Sequence, residues 1–514
     1  MNQTPGPCVE KFVVAAVLVI ITFNGVYGEA KADDQGIGGT DAQRPNVLMI
    51  AIDDLNDWVE PLGGHPQVKT PAMKQLADRG VLFTNAHCQS PLCNSSRTSV
   101  MLSLRPETTG IYGLQPWFRN LKQFQKTVSL PQHFAKSGYE TYTCGKVYHN
   151  SMGRNPPAGC EPEFMHWGPG GGPGIMPEAK LIPPTPAGNN GWVDWGTFDH
   201  EDSEKGDFKV ASWAESTIAE MPDGGDAPFF MAVGFFLPHV PCYVTKKWWD
   251  MYPEESLVMP SLVEDDRSDC PPFADYLHWH LPEPRLQWLR ENNQHRNLVR
   301  SYLASVTFCD SQVQRVLDAL EKSPHAENTI VVLWSDHGYH LGEKEMTGKT
   351  TLWERSTRVP LIFAGPGIEP GICQRPVELL DIYPTLSQMA NLSAPASVEG
   401  VSLMPQITDT DAPRSALAIT THNPGNFAIR DDRYRFIHYA DGSEELYDLQ
   451  TDSGEFKNII AEAELQSVAE RLREHIPSQF AGLVEGSGQR ILEKKGNQWF
   501  WENKAIDPDN RPQK

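Results

Sequence analysis

The sequence predicts an α/β fold in which a large, mostly parallel sheet is covered by helices on both faces, with a small antiparallel subdomain at the C-terminal end. Three observations carry that expectation. Apolar runs of strand length recur along the chain, helical periodicity lies between them, and after about residue 416 the texture changes to short segments separated by turn residues. The first run, Val47 to Ile52, is apolar at consecutive rather than alternate positions, as in a strand buried on both faces. Residues 71–79 then read as a short helix opening on Pro71, and 81–86 as a second strand. Further strands are expected at 140–144, 229–236, 329–334 and 359–363. Helical spacing is clearest over 296–321, where Val299, Tyr302, Leu303, Val306, Val313, Val316, Leu317 and Leu320 share one stripe. Near the C-terminus, 426–430 and 434–439 form a hairpin through Asp431-Asp432-Arg433, followed by a strand at 445–449 and a helix near 462–475.

Length sets the domain organisation. At 514 residues the chain exceeds the size at which one hydrophobic core stops growing, so a large domain plus a smaller one is expected. Lys11, the apolar run 12–23 and the small residues of Val26-Tyr27-Gly28 have the form of a secretory leader over 1–28. Cleavage there would deliver an exported protein, periplasmic, extracellular or luminal. No later segment is long and apolar enough to act as a membrane anchor. A polar linker over 29–44, a main domain over 45–415 and a C-terminal subdomain and tail over 416–514 complete the division. Within the main domain, residues 150–209 dissolve into Gly, Pro and aromatics, including a glycine-rich run at 168–174 and Trp167, Trp192 and Trp195. Long irregular insertions of this kind are usually functional loops.

Charge narrows the partners. A formal net charge of −22 repels nucleic acid and anionic membranes, so neither is expected as a partner. An anionic substrate would require a local cluster of cations. Cysteine spacing is uninformative: Cys8 lies in the leader, and Cys88, Cys93, Cys144, Cys160, Cys242, Cys270, Cys309 and Cys373 form no CxxC pair.

Several short segments carry chemistry. Cys93-Asn94-Ser95-Ser96-Arg97 spaces a thiol and a guanidinium four apart at the start of a helix, with Ser90-Pro91 upstream as cap and start residues. One turn can then offer both groups, and free backbone N–H groups, to a single small anion. The three residues between Cys and Arg are too few for the phosphate-wrapping loop of a tyrosine phosphatase. Asp53 and Asp54 directly follow the first buried strand, and Asp336-His337 follow the strand at 329–334, at the edge where ligands collect in open α/β sheets. Adjacent carboxylates there are costly without a cation, and an oxygen-rich set favours a hard one such as calcium or magnesium. Lys146 and His149, His239, and Lys349 also follow strand ends or lie a short loop beyond one. Together they supply the cationic cluster that an anionic substrate needs.

These pieces, in this order, resemble the type I sulfatases. The match rests on Cys93-Asn94-Ser95-Ser96-Arg97, Ile52-Asp53-Asp54-Leu55, Gly145-Lys146-Val147-Tyr148-His149, Pro238-His239-Val240-Pro241, Ser335-Asp336-His337-Gly338 and Lys349-Thr350-Thr351-Leu352-Trp353-Glu354. It covers most of 45–452 and is nearest to the iduronate-2-sulfatase-like group. Ser95 stands where the family most often has Pro or Ala, and His337 where many members have Asn. The resemblance implies an alkaline-phosphatase-like sandwich with a large mixed, mostly parallel sheet. It further implies that Cys93 is oxidised to formylglycine by a formylglycine-generating enzyme. One calcium ion would be held by Asp53, Asp54, Asp336, His337 and residue 93. In that picture the aldehyde hydrate takes the sulfate as an ester and releases it on collapse. Arg97 helps activate the hydrate, Lys146 and Lys349 hold sulfate oxygens, His239 protonates the leaving oxygen, and His149 takes a proton from the second hydroxyl.

A sulfated carbohydrate is the expected substrate, with the aromatic insertion as a sugar-binding platform. Two other functions are compatible with these residues: a phosphomonoester or phosphodiester hydrolase of the same superfamily, and an inactive glycan-binding homologue with an unmodified Cys93.

Overall fold

The computed structural model describes Met1, residues 44–223 and residues 227–512; the expected leader lies outside the described residues. Nine strands form the central sheet: β1 (Asn46–Ile52), β2 (Gly80–His87), β3 (Glu140–Gly145), β4 (His166–Gly170), β5 (Phe229–Phe235), β6 (Thr329–Ser335), β7 (Arg358–Ala364), β8 (Gly371–Cys373) and β9 (Val377–Glu378). Their order is β8-β2-β7-β6-β1-β5-β3-β4, with β9 extending the pairing of β2. Only β7 runs against the rest, pairing antiparallel with both β2 and β6. The sheet is therefore mixed and mostly parallel, as expected.

Consecutive apolar residues in β1 are explained by its two faces. Leu48, Ile50 and Ile52 join one core with α1 (Pro71–Asp78), α4 (Gly206–Glu220) and α5 (His295–Glu321). Val47, Met49 and Ala51 join a second core with α2 (Cys93–Leu102), α3 (Leu130–Lys136) and α6 (Ile382–Met389). Because side chains alternate along a strand, a strand covered on both sides must be apolar throughout. Each aliphatic side chain so buried contributes about 1.5–3 kcal/mol.

Two regions hold more regular structure than their sequence suggests. Within 150–209, β4 pairs with β3 as the edge of the central sheet, and α4 begins at Gly206. Its tryptophans divide, with Trp195 buried in a ribbon formed by Trp195–Thr197 and Cys242–Val244, and Trp192 58% exposed. The C-terminal region also holds two sheets rather than one. Ala418–Thr421, Phe427–Arg430, Tyr434–His438 and Glu444–Asp448 form the expected antiparallel sheet. The supposed tail folds as a second sheet of Leu492–Lys495, Gln498–Trp501 and Lys504–Ile506, whose Trp501 donates to the Trp279 carbonyl at 2.6 Å. Trp501 shares a core with Met346 and Trp353, which explains why so polar a segment is ordered. Among the described residues no helix is long and apolar enough to cross a membrane.

Candidate active site

Strand register assembles the site. Ile52 of β1 lies opposite both Ser335 of β6 and Phe235 of β5, and Gly234 of β5 lies opposite Gly145 of β3. Four neighbouring parallel strands thus end together. Their next residues are Asp336-His337, Asp53-Asp54, the turn to His239, and Lys146, so the four strand-end segments singled out in the sequence converge at one carboxyl edge.

Arg97 holds that edge together. It is 1% exposed, donating from Nε to Asp336 at 2.8 Å and from Nη2 to Asp53 at 3.0 Å. Its Nη1 reaches the carbonyls of Lys146 and Val147, the latter at 3.1 Å. The guanidinium therefore ties three of the four strand ends, from β1, β3 and β6. Lys146 is paired with Asp53, and Lys349 with Asp54 at 2.6 Å. Burial opposes ionisation of Asp53, but Lys146, His239 and Arg97 together hold the carboxyl well below its usual range. Burial pushes Asp336 the other way, to about 6, against the pull of Arg97.

Cys93 is the first residue of α2 and sits over these groups. Its Sγ is 3.0 Å from Lys349 Nζ, 3.3 Å from His337 Nε2 and 4.0 Å from Lys146 Nζ. Burial raises the thiol pKa, yet Lys146, Lys349 and His337 together bring it well below the usual thiol range. The expected Ser90-Pro91 start is displaced: the N-cap is Leu92, without a side-chain cap, and the Ser90 hydroxyl is buried and unpartnered. The first-turn amides of α2 thus lack a side-chain acceptor, which suits an anion. Asn94 is buried, donating to the Gly113 and Pro116 carbonyls, so the Asn94-Ser95-Ser96 sequon is closed in the folded chain.

The two histidines flank the acids differently. His239 is partly exposed, its Nε2 3.9 Å from carboxylate oxygens of both Asp53 and Asp54. His149 lies against Cys93, its Nδ1 buried and unpartnered, and burial lowers its pKa.

A cation fits this site on two counts. Ligand atoms of Asp53, Asp54, Cys93 and His337 lie within 4.8 Å of one another, and Asp54 Oδ2 is buried without any hydrogen-bond partner. His337 presents Nε2 to the cluster because Nδ1 is engaged with the Gly338 carbonyl at 3.0 Å. Burial opposes its protonation, but Asp336 and Cys93 together raise its pKa to about 9. Asp336 stands beside this set rather than within it, its oxygens taken by Arg97, the Asp54 N–H at 3.2 Å and the His337 N–H at 3.0 Å.

Residues given no chemical role in the sequence also shape the site. Tyr302 donates to the Asp54 carbonyl at 2.7 Å and accepts from Asn56 N–H at 3.0 Å, fixing Asp54 in its positive-φ conformation (58°). In sequence it was indistinguishable from its apolar stripe. Gly145 turns β3 into Lys146 with φ +73°, and a Cβ there would stand 1.8 Å from the Gly234 carbonyl oxygen. Gly145→Ala is expected to lower stability by about 1–3 kcal/mol from backbone strain, with further loss from the contact. Turnover should fall by about 100-fold as Lys146 is displaced. Chemical denaturation and steady-state kinetics check both, and wild-type values would refute the role given to Gly145.

The sulfatase family model matches residues 45–392, and a model of the C-terminal region of N-sulphoglucosamine sulphohydrolase matches 342–481. A sulfatase from Formosa agariphila is 38% identical over 453 residues, covering 85% of this chain and 87% of that protein. Human iduronate 2-sulfatase is 30% identical over 71% and 72% of the two chains. Delta 4,5-hexuronate-2-O-sulfatase of Bacteroides thetaiotaomicron is 28% identical over 84% and 87%. The solved structure of a 2-O GAG sulfatase superposes with a TM-score of 0.66 at 24% identity, covering 84% of this chain and 91% of that one, which fixes the fold as alkaline-phosphatase-like.

Proposed function

The chain belongs to the sulfatase family and is a sulfuric ester hydrolase of the iduronate-2-sulfatase-like group; from that premise we propose that it removes sulfate from a sugar, using residue 93 as formylglycine and one calcium ion. The observation that carries this reading is the convergence of Lys146, Lys349 and His337 on Cys93 at an uncapped helix start.

Charge supports the cation. Arg97, Lys146 and Lys349 are matched by Asp53, Asp54 and Asp336, three against three, so the protein groups alone leave little excess charge to attract sulfate. Calcium held by Asp53, Asp54, His337 and residue 93, with Asp336 alongside, would supply that excess and polarise a sulfate oxygen. Formylglycine would supply a hydrate whose two hydroxyls allow sulfate transfer and then release.

The chain's own groups do the remaining work. Lys146 and Lys349 bind sulfate oxygens and stabilise negative charge as it develops. Arg97 holds Asp53 and Asp336 in place through its fork. His239, partly exposed beside Asp53 and Asp54, meets the sugar side and protonates the departing oxygen. His149, beside residue 93, takes a proton from it. Export through the leader over 1–28, with maturation by a formylglycine-generating enzyme, belongs to the same reading.

Relatives named for hexuronate and iduronate 2-sulfates make 2-O-sulfated uronides the first substrates to try. Turnover should be measured on defined sulfated oligosaccharides beside matched phosphate esters. Sulfate release from a sugar is expected, and a preference for phosphate would overturn the proposal. Metal removal is a separate test: chelation should abolish turnover, and calcium should restore it. Calcium at 100 times its Kd should also stabilise the fold by about 2.7 kcal/mol, read as a rise in Tm. That rise should vanish in Asp54→Asn; an unchanged calcium response would place the ion elsewhere.

A further inference from the structure

We propose that Asp207 is a positioning residue for leaving-group protonation, holding the turn that carries His239. This rests on the role given to His239 above.

The turn after β5 lacks a strand partner for its amides. The last ladder pair with β1 is Ile52 with Phe235, and the chain then passes through Phe236-Leu237-Pro238-His239-Val240-Pro241, whose prolines have no N–H. Asp207, buried near the start of α4, accepts the Phe236 N–H at Oδ1 (2.7 Å) and the Leu237 N–H at Oδ2 (2.9 Å). Buried amides need acceptors, and a single carboxylate satisfies two successive ones. The Phe236 carbonyl in turn accepts the His239 N–H at 3.0 Å. The Phe236 ring lies 4.9 Å from the His239 ring and 5.3 Å from Lys146 Nζ. Fixing Phe236 therefore fixes the ring against which His239 rests, while Lys146 is held separately by its pair with Asp53.

The backbone around the start of α4 is closely packed at three glycines. A Cβ on Gly206 would stand 2.0 Å from the Gly172 carbonyl oxygen, one on Gly174 would stand 2.4 Å from that of Glu204, and one on Gly171 would stand 2.6 Å from Lys146 N. Residues 171–174 thus touch both the start of α4, which carries Asp207, and the Lys146 turn.

The test uses leaving groups that differ in their need for a proton. A sugar alkoxide requires protonation, whereas 4-nitrophenolate leaves without it. In Asp207→Asn only one oxygen remains to accept, and the amide NH2 faces an N–H. On the mature full-length enzyme, kcat for a sulfated sugar should fall about 10–100-fold, with KM and 4-nitrophenyl sulfate turnover changed less than about 3-fold. In a His239→Ala background the same substitution should add no further loss. Equal losses on both substrates, no loss, or additivity with His239→Ala would show that Asp207 only stabilises the fold and would overturn the proposal. Should Asp207→Asn fail to fold, Phe236→Leu must show the same split between substrates, and its failure to do so is equally decisive. Wild-type enzyme that turns over neither sulfate ester would instead refute the underlying sulfatase reading, and this proposal with it.

Discussion

Replacing Cys93 with Ala is expected to reduce sulfate-ester turnover by roughly 10⁴-fold or more, the scale seen when a nucleophile is removed from a site whose binding groups remain. Folding should persist. Cys93 is buried at a helix start, and Ala is a good helix residue that leaves the ion pairs of Arg97, Lys146 and Lys349 with the acids intact. Far-ultraviolet circular dichroism and a thermal melt establish that the variant is native, after which residual turnover is attributable to chemistry. Peptide mass analysis of the active wild type completes the test. An aldehyde, not a thiol, is expected at residue 93. A fully active enzyme with an intact thiol there, or an active Cys93→Ala, would show that the nucleophile lies elsewhere.

Arg97→Met should be the most damaging substitution to the fold itself, costing about 3–5 kcal/mol. Removing one partner of a buried ionic group leaves the others uncompensated. Here Asp53 and Asp336 would both lose their shared counter-ion, and the Lys146 and Val147 carbonyls would lose their donor, all within a site screened from water. Arg97→Lys should rescue only part of this. An ammonium can neutralise one carboxylate but cannot form the planar fork that reaches β1, β3 and β6 ends at once. Urea unfolding measures the stability term, and turnover of the Lys variant measures the positioning term. A Met variant within about 0.5 kcal/mol of wild type would refute the keystone role assigned to this guanidinium.

Much of the site was legible because its groups follow strands that advertise themselves. β1 and β6 are buried throughout and apolar over 47–52 and 330–334, so Asp53, Asp54, Asp336 and His337 stand out as acids and imidazole placed where such strands end. Lys146 and His239 follow β3 and β5 for the same reason. Tyr302 and Asp207 were not legible. Tyr302 sits on an apolar stripe of α5, and nothing local reveals that its hydroxyl faces Asp54. Asp207 occupies an ordinary first-turn acidic position, and its acceptor role depends on a turn some thirty residues away. The 150–209 segment misled for a related reason: glycine and proline signal irregular backbone, but not whether that backbone is loose or closely packed. The terminal sheet was missed because its strands are short and polar, and only Trp501 enters a core made by distant residues.

By itself, the sequence determined the order of the candidate acids, lysines and histidines, the buried parallel strands that carry them, and the place of Cys93 at the start of a helix. Those follow from local periodicity and from which side chains can ionise. Only the tertiary structure decided that β6, β1, β5 and β3 lie side by side in register, that Arg97 joins three of their ends, and that Asp207 reaches the His239 turn. Such facts depend on strand order and on contacts between residues far apart in the chain, and no local pattern of side chains encodes a distance across a sheet.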